Sequence, residues 1–174
     1  QSVSRCRDIL TLWRERSLRA ESSIKRLNLG QLVTECTANA KALAAKKSAQ
    51  VNLAQGPENC FIEGNNIQIF RAIQNIVTNA LEAVPAREGF VGIRWRVIGR
   101  RALVEVEDNG GGFPPDKIAD MQTRHYTTKG QSGGMGLGLF ITKNIAEAHG
   151  GSLLLGNNVA GTGAFVTLAF PYLG

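Results

Sequence analysis

Between Gly89 and Asp108 the chain runs in a two-residue rhythm. GFVGIRWRVIG and RRALVEVED alternate apolar with polar positions, GRR lies between them, and the stretch reads as two strands of a hairpin. A hairpin with one apolar face is marginal alone in water, so another layer has to cover it. From about Ile67 to Val84, Ile69, Phe70, Ile73, Ile76, Val77, Ala80, Leu81 and Val84 line one side of a strong helix, which Pro85 ends. Further helices are expected from about Gln31 to Lys47 and from the glycine-rich segment GQSGGMGLGLF to about His149. VNLA and CFIE read as a strand-like pair separated by QGPEN, and SLLLGNN with GAFVTLAFP as a closing hairpin across VAGTG. Helices alternating with hairpins imply an α+β sandwich in which helices cover one face of a mixed sheet. Residues 109–133 hold NGGGFPPD, one possible helical turn and a Gly/Ser-rich end, and read as a long loop of the kind that serves as a lid.

At 174 residues and 43% hydrophobic composition, the chain can bury a substantial core, with one domain and an appendage as the natural count. The appendage is N-terminal. Val3, Cys6, Leu10, Trp13, Ser17, Ala20, Ile24 and Leu27 step alternately by three and four, the seam of a heptad pattern. One reading docks this helix on its own domain; the other makes it the end of a longer helix in a dimeric bundle. The length of the seam favours the bundle. The net charge of +6 is concentrated there too, with seven Lys/Arg against three acids in residues 1–29, and no basic patch with interleaved aromatics follows, so nucleic acid is not an expected partner. Cys6, Cys36 and Cys60 match no metal spacing or disulfide framework and read as reduced, intracellular thiols. No run approaches the roughly 20 apolar residues that cross a membrane. The first residue is Gln, and the chain reads as a piece of something longer.

Three stretches carry chemistry. On the helix from Ile67, Asn75, Asn79 and Glu82 fall at i, i+4 and i+7, on one stripe opposite the apolar face. Two amide oxygens one turn apart suit a hard cation such as Mg²⁺. In ALVEVEDNGGGF, Ala102, Val104 and Val106 share one strand face and Asp108 continues it, so an apolar face ends in a carboxylate that needs hydrogen-bond donors. A purine amino group is such a donor, and the glycines after it let backbone approach a flat ligand. Last, GQSGGMGLGLF places bare backbone amides at a helix N-terminus, a cradle for phosphate.

NIVTNALEA, DNGGGF, HYTTK, GGMGLGLFITK and GTG, in this order, resemble the catalytic ATP-binding domain of two-component sensor histidine kinases, part of the superfamily shared with DNA gyrase and MutL. The resemblance spans about Leu29 to Pro171. It implies a Bergerat-type two-layer α/β sandwich with a mixed, mostly antiparallel sheet, preceded by a long N-terminal helix. It also implies residues 1–28 as the trailing part of the dimerisation and phosphoacceptor helix hairpin, and 29–174 as the catalytic domain. Asn79 matches the family's Mg²⁺-coordinating asparagine, and Asn75 its partner near the phosphates. Asp108 matches the aspartate that accepts from the adenine amino group, with Gly110 and Gly112 shaping that pocket. Thr128 and Lys129 close the lid motif, the lysine reaching the terminal phosphate. Gly134, Gly136, Leu137 and Gly138 supply the phosphate loop. The implied cofactors are ATP and Mg²⁺. The implied partners are a phosphoacceptor histidine helix of the same or a partner protomer, a response regulator and a second copy in a full-length homodimer. The implied place is the cytoplasmic portion of a sensor.

In the hydrolytic relatives a glutamate activates water four residues before the metal asparagine; here that position is Asn75, and an amide is no base at neutral pH. Such a site keeps ATP for another nucleophile, as a kinase requires. Glu82 stands where many sensor kinases carry a lysine, which keeps open a catalytically degenerate nucleotide-binding module; a serine kinase of the anti-sigma-factor type, which shares this pocket, is the other rival reading, against which the leading heptad and the TTK lid count. His125 and His149 are the only histidines. One falls in the lid and the other at a helix end, where a cation would favour the dipole, so the acceptor is expected outside this stretch.

Overall fold

The computed structural model describes residues 24–118, 138–159 and 162–174. Seven strands and three α-helices make up this part: β1 (Ile24–Asn28), α1 (Leu29–Lys47), β2 (Gln50–Ala54), β3 (Phe61–Asn65), α2 (Asn66–Ala83), β4 (Phe90–Ile98), β5 (Arg101–Asp108), α3 (Gly138–Ala148), β6 (Ser152–Asn157) and β7 (Ala164–Pro171). A single 3₁₀ turn covers Pro115–Lys117.

The main sheet has five strands in the order β2-β4-β5-β7-β6. β2 runs parallel to β4 and every other pairing is antiparallel, so the sheet is mixed and mostly antiparallel. The expected β4–β5 hairpin forms, with Gly99 at φ +56° in its turn. Period-two alternation puts Val91, Ile93 and Trp95 of β4, Ala102, Val104 and Val106 of β5, and Val166, Leu168 and Phe170 of β7 on the buried side. There they meet Ile69, Ile73, Ile76, Val77 and Ala80 of α2, the apolar side expected of that helix, and Leu29, Val33, Cys36 and Ala40 of α1. On the opposite face Glu105, 8% exposed, is flanked by Arg94 and Arg96, each 2.7 Å from one of its carboxylate oxygens. The carboxylate is thereby paired and satisfied in a place where an isolated charge would be costly.

Helix boundaries follow local chemistry. Asn28 and Asn65 cap α1 and α2, their side-chain oxygens accepting the N–H of Gln31 and Gln68. Lys47 reaches across from the end of α1 to the Leu81 carbonyl at 2.8 Å, placing a cation at the C-terminus of α2. His149, just past α3, accepts the N–H of Asn65 at Nε2 (3.1 Å), while Nδ1 lies 2.7 Å from the Ile145 carbonyl. A ring nitrogen that accepts carries no proton, so His149 acts here as a neutral link between α3 and the start of α2, not as the cation that its helix-end position suggested.

Two expectations are corrected. Ile24 and Leu27, read as the last seam positions of a helix, lie in β1, which pairs antiparallel with β3 from Ile24↔Asn65 to Asn28↔Phe61. The helix gives way there because β3 offers a backbone ladder, Leu27 packs against the core, and Asn28 starts the next helix. VNLA and CFIE do form strands but not a pair: β2 joins the main sheet and β3 joins β1. The connection between them is tied down instead by Trp95, whose Nε1 donates to the Pro57 carbonyl at 3.0 Å. Residues 1–23, where the remaining seam falls, are outside the described residues, as is His125. Among the described residues no helix is long and apolar enough to cross a membrane.

Ile73 is fully buried where α2 meets the sheet. Truncating it to alanine is expected to cost about 3 kcal/mol of unfolding free energy, read as a lower urea midpoint at unchanged slope.

Candidate functional site

The site grows from the end of β5. Because side chains alternate, Asp108 must follow Val104 and Val106 to the covered side of the sheet, and it is 7% exposed. Its Oδ1 accepts two backbone N–H groups, from Gly110 at 2.8 Å and from Ala164 at 3.3 Å. Oδ2 has no hydrogen-bond partner among the described residues. Burial pushes the Asp108 carboxyl above the ordinary aspartate range, and the amides of Gly110 and Ala164 pull it part of the way back. One oxygen is therefore anchored by backbone amides, and the other is an acceptor without a partner among the described residues.

The backbone around Asp108 is crowded in a way that requires glycine. A Cβ at Gly110 would come within 2.7 Å of the Ala83 carbonyl oxygen, where α2 ends. A Cβ at Gly163, which sits at φ +111°, would overlap the Asp108 carbonyl. Gly112 is left-handed at φ +74°. Asn109 turns out to be a tie, not a ligand: its Oδ1 accepts the Phe90 N–H at 2.7 Å and its Nδ2 donates to the Glu88 carbonyl at 2.8 Å.

The second half of the site lies between α2 and α3. Asn75 and Asn79 are both half-buried, so their stripe is not open solvent; Glu82, further along, is exposed. Asn75 is held from α3: its Nδ2 donates to the hydroxyl of Thr142, a fully buried residue, at 2.8 Å. A Cβ on Gly138, the first residue of α3, would come within 2.9 Å of the same amide. With Nδ2 committed, Asn75 turns its acceptor oxygen elsewhere. The amide of Asn79 has no partner among the described residues. Those two oxygens, with no cluster of three acidic, His or Cys ligands among the described residues, fit a cation such as Mg²⁺, which keeps several waters and takes only one or two protein oxygens beside a ligand's phosphates. Thr128, Lys129, Gly134, Gly136 and Leu137 fall outside the described residues.

A nearly buried acceptor lies just beyond the end of α2, where Gly110 packs on the Ala83 carbonyl, and along the same helix Asn75 lies against the start of α3. Residues 64–173 match the family described as histidine kinase-, DNA gyrase B-, and HSP90-like ATPase. The chain belongs to that family. It is 31% identical over 167 residues to the sensor protein FixL of Bradyrhizobium diazoefficiens, covering 95% of this chain and 31% of FixL, so it spans about a third of that relative. The fold is that of the catalytic domain of the histidine kinase ThkA, with a TM-score of 0.74 and 24% identity over 86% of this chain and 95% of that one. It also superposes on full-length ShkA in complex with AMPPNP, with a TM-score of 0.75 and 24% identity over 86% of this chain and 31% of that one. The Bergerat-type expectation thus holds for the family and its architecture.

Sequence reasoning missed the supports behind the site. Thr142 read as one more residue of ITKNIAEAHGG, although a threonine inside a buried helical run signals a polar partner. Asn157 and Asn158 read as a hairpin end, and Gly163 as part of a motif without a task. In the structure Asn158 donates to the Asp108 carbonyl at 3.0 Å, and Gly163 packs directly on it.

Asp108→Asn is expected to keep the fold, because an amide oxygen still accepts from Gly110 and Ala164. The raised aspartate value fixes the sign: the folded wild type binds its proton more tightly than the unfolded chain, so it loses stability relative to the variant as pH rises from the ordinary aspartate range through the raised one. Urea midpoints of the two proteins across that window check this. Gly163→Ala, in contrast, should destabilise at every pH.

Proposed function

We propose that this chain is the ATP-binding catalytic part of a sensor histidine kinase, which passes the γ-phosphoryl group of ATP to a histidine other than His125 and His149, outside this stretch of sequence, for relay to a response-regulator aspartate. The observation that carries the reading is Asp108: a nearly buried carboxylate with one oxygen anchored by backbone amides and the other without a partner among the described residues. An exocyclic purine amine supplies the donor that such an oxygen lacks. Gly110 and Gly112 let the backbone lie close to the base.

From the purine, the phosphate tail runs toward α3. Gly138 opens that helix, so the positive end of its dipole faces the tail, and Gly134, Gly136 and Leu137 would wrap it with backbone amides. Asn79, with Asn75 beside it, would hold Mg²⁺, which neutralises charge on the phosphoryl oxygens. Thr128 and Lys129 would complete the grip from the segment before the phosphate loop. The residues of this chain bind, orient and screen charge; the incoming histidine nitrogen forms its bond to Pγ while the bond from Pγ to the bridging oxygen breaks and ADP leaves. Asn75 supports transfer over hydrolysis, since an amide whose nitrogen is bonded to Thr142 cannot take a proton from water. The relationship to FixL supports a sensor kinase, and the proposal includes its action in the cytoplasm as a dimer of longer chains.

Titration with a fluorescent ATP analogue tests the site. The wild type is expected to bind more tightly with Mg²⁺ than without it. Asn79→Ala should abolish that difference, and Asp108→Asn should weaken binding by about tenfold or more. Because protonation turns the Asp108 acceptor into a donor, wild-type affinity should fall as pH drops through its raised value. Binding that is unchanged in both variants would end the assignment. With γ-labelled ATP the isolated chain should acquire no phosphohistidine; label on His125 or His149 would contradict an external acceptor.

A further inference from the structure

After Asp108 the chain leaves β5 and crosses the end of the neighbouring β6–β7 hairpin. Glycines at 110–112 make the crossing possible, and Phe113 ends it. The crossing is fastened at its far side by one side chain. Asn157, the last residue of edge strand β6, accepts the Phe113 N–H on its Oδ1 at 2.6 Å and donates from Nδ2 to the Phe113 carbonyl at 2.7 Å. The amide thus behaves as a short piece of strand, using both hydrogen-bonding groups of one residue. Its Oδ1 would also lie 2.9 Å from a Cβ at the left-handed Gly112. Asn158 holds the Asp108 carbonyl, and Asn109 ties the near side to Glu88 and Phe90.

Resting on the nucleotide reading above, we propose that Asn157 is a positioning residue of the purine site. Its two-way clasp on Phe113 fixes the Asp108–Phe113 crossing and thereby the place of the Asp108 carboxylate beside the glycine backbone. It does not touch the ligand. Without it, the crossing samples arrangements in which the carboxylate and the glycine backbone no longer form one surface, and affinity falls by the fraction of time the surface is assembled. Only a group that donates and accepts at once satisfies both Phe113 bonds. Asparagine does so at any pH; a carboxyl does so only when protonated.

The test is Asn157→Asp. Titrations of wild type and variant with a fluorescent ATP analogue, from about pH 8 to about pH 4, give the ratio of their dissociation constants. Titration of Asp108, common to both proteins, cancels in that ratio. At the upper end the variant is expected to bind about tenfold more weakly, because the carboxylate cannot donate and repels the Phe113 carbonyl. As the new carboxyl protonates, the ratio should move toward one. A ratio near one throughout, or a weakened ratio that does not change with pH, overturns the clasp while leaving the nucleotide reading intact. Absence of wild-type binding overturns both. Should the aspartate variant fail to fold at the upper end, Asn157→Ala with amide hydrogen exchange decides: the Phe113 amide is expected to lose protection together with nucleotide affinity, and protection retained there overturns the proposal.

Discussion

The buried carboxylate of Asp108 sets the terms for everything around it. A charged group at the inner end of an apolar strand is destabilising unless donors reach it, and here two backbone amides reach one of its oxygens and, among the described residues, none reaches the other. Its titration is raised by burial, a mark of a group held against its own preference. The surrounding glycines follow from the same requirement. Side chains at Gly110 or Gly163 would push apart the end of α2, the crossing after β5 and the β6–β7 turn, and the acceptor would lose its place. Stability is given up locally so that a ligand can supply the missing donor, while the α2–sheet core supplies the margin.

The other half of the constellation uses polarity more sparingly. Asn75 is set between α2 and α3 by one hydrogen bond to the wholly buried Thr142. That bond couples the Asn75 side of α2 to the first turns of α3. It also separates this chain chemically from hydrolytic members of the family, in which the same position carries a base. His149 performs a similar service at the other end of α3, where it joins that helix to the cap of α2 through neutral hydrogen bonds. α3 is therefore located at both ends against α2, and the phosphate-facing terminus inherits its position from the core.

Much of this was legible in the residues. The strand rhythm of β4, β5 and β7 and the apolar side of α2 are strong periodic signals, and the carboxylate at the end of β5 follows from alternation alone. The illegible parts share a cause. Whether Ile24 and Leu27 continue a helix or enter a strand depends on β3, a partner more than thirty residues away, and local spacing says nothing about that partner. The same holds for β2, which finds β4 and not the adjacent β3. Among site residues, those that touch a ligand carry recognisable types, but those that aim them do not. Thr142, Asn157 and Asn158 are ordinary residues in their own stretches and acquire meaning only when the fold sets them opposite Asn75, Phe113 and Asp108.

The central claim is that Asp108 reads the amino group of a purine. Calorimetric affinities of the wild type and of Asp108→Asn for ATP and for purine riboside triphosphate, which lacks that amine, measure it directly. A preference for ATP in the wild type that disappears in the variant is the predicted result. An equal preference in both proteins, or none in the wild type, would contradict it.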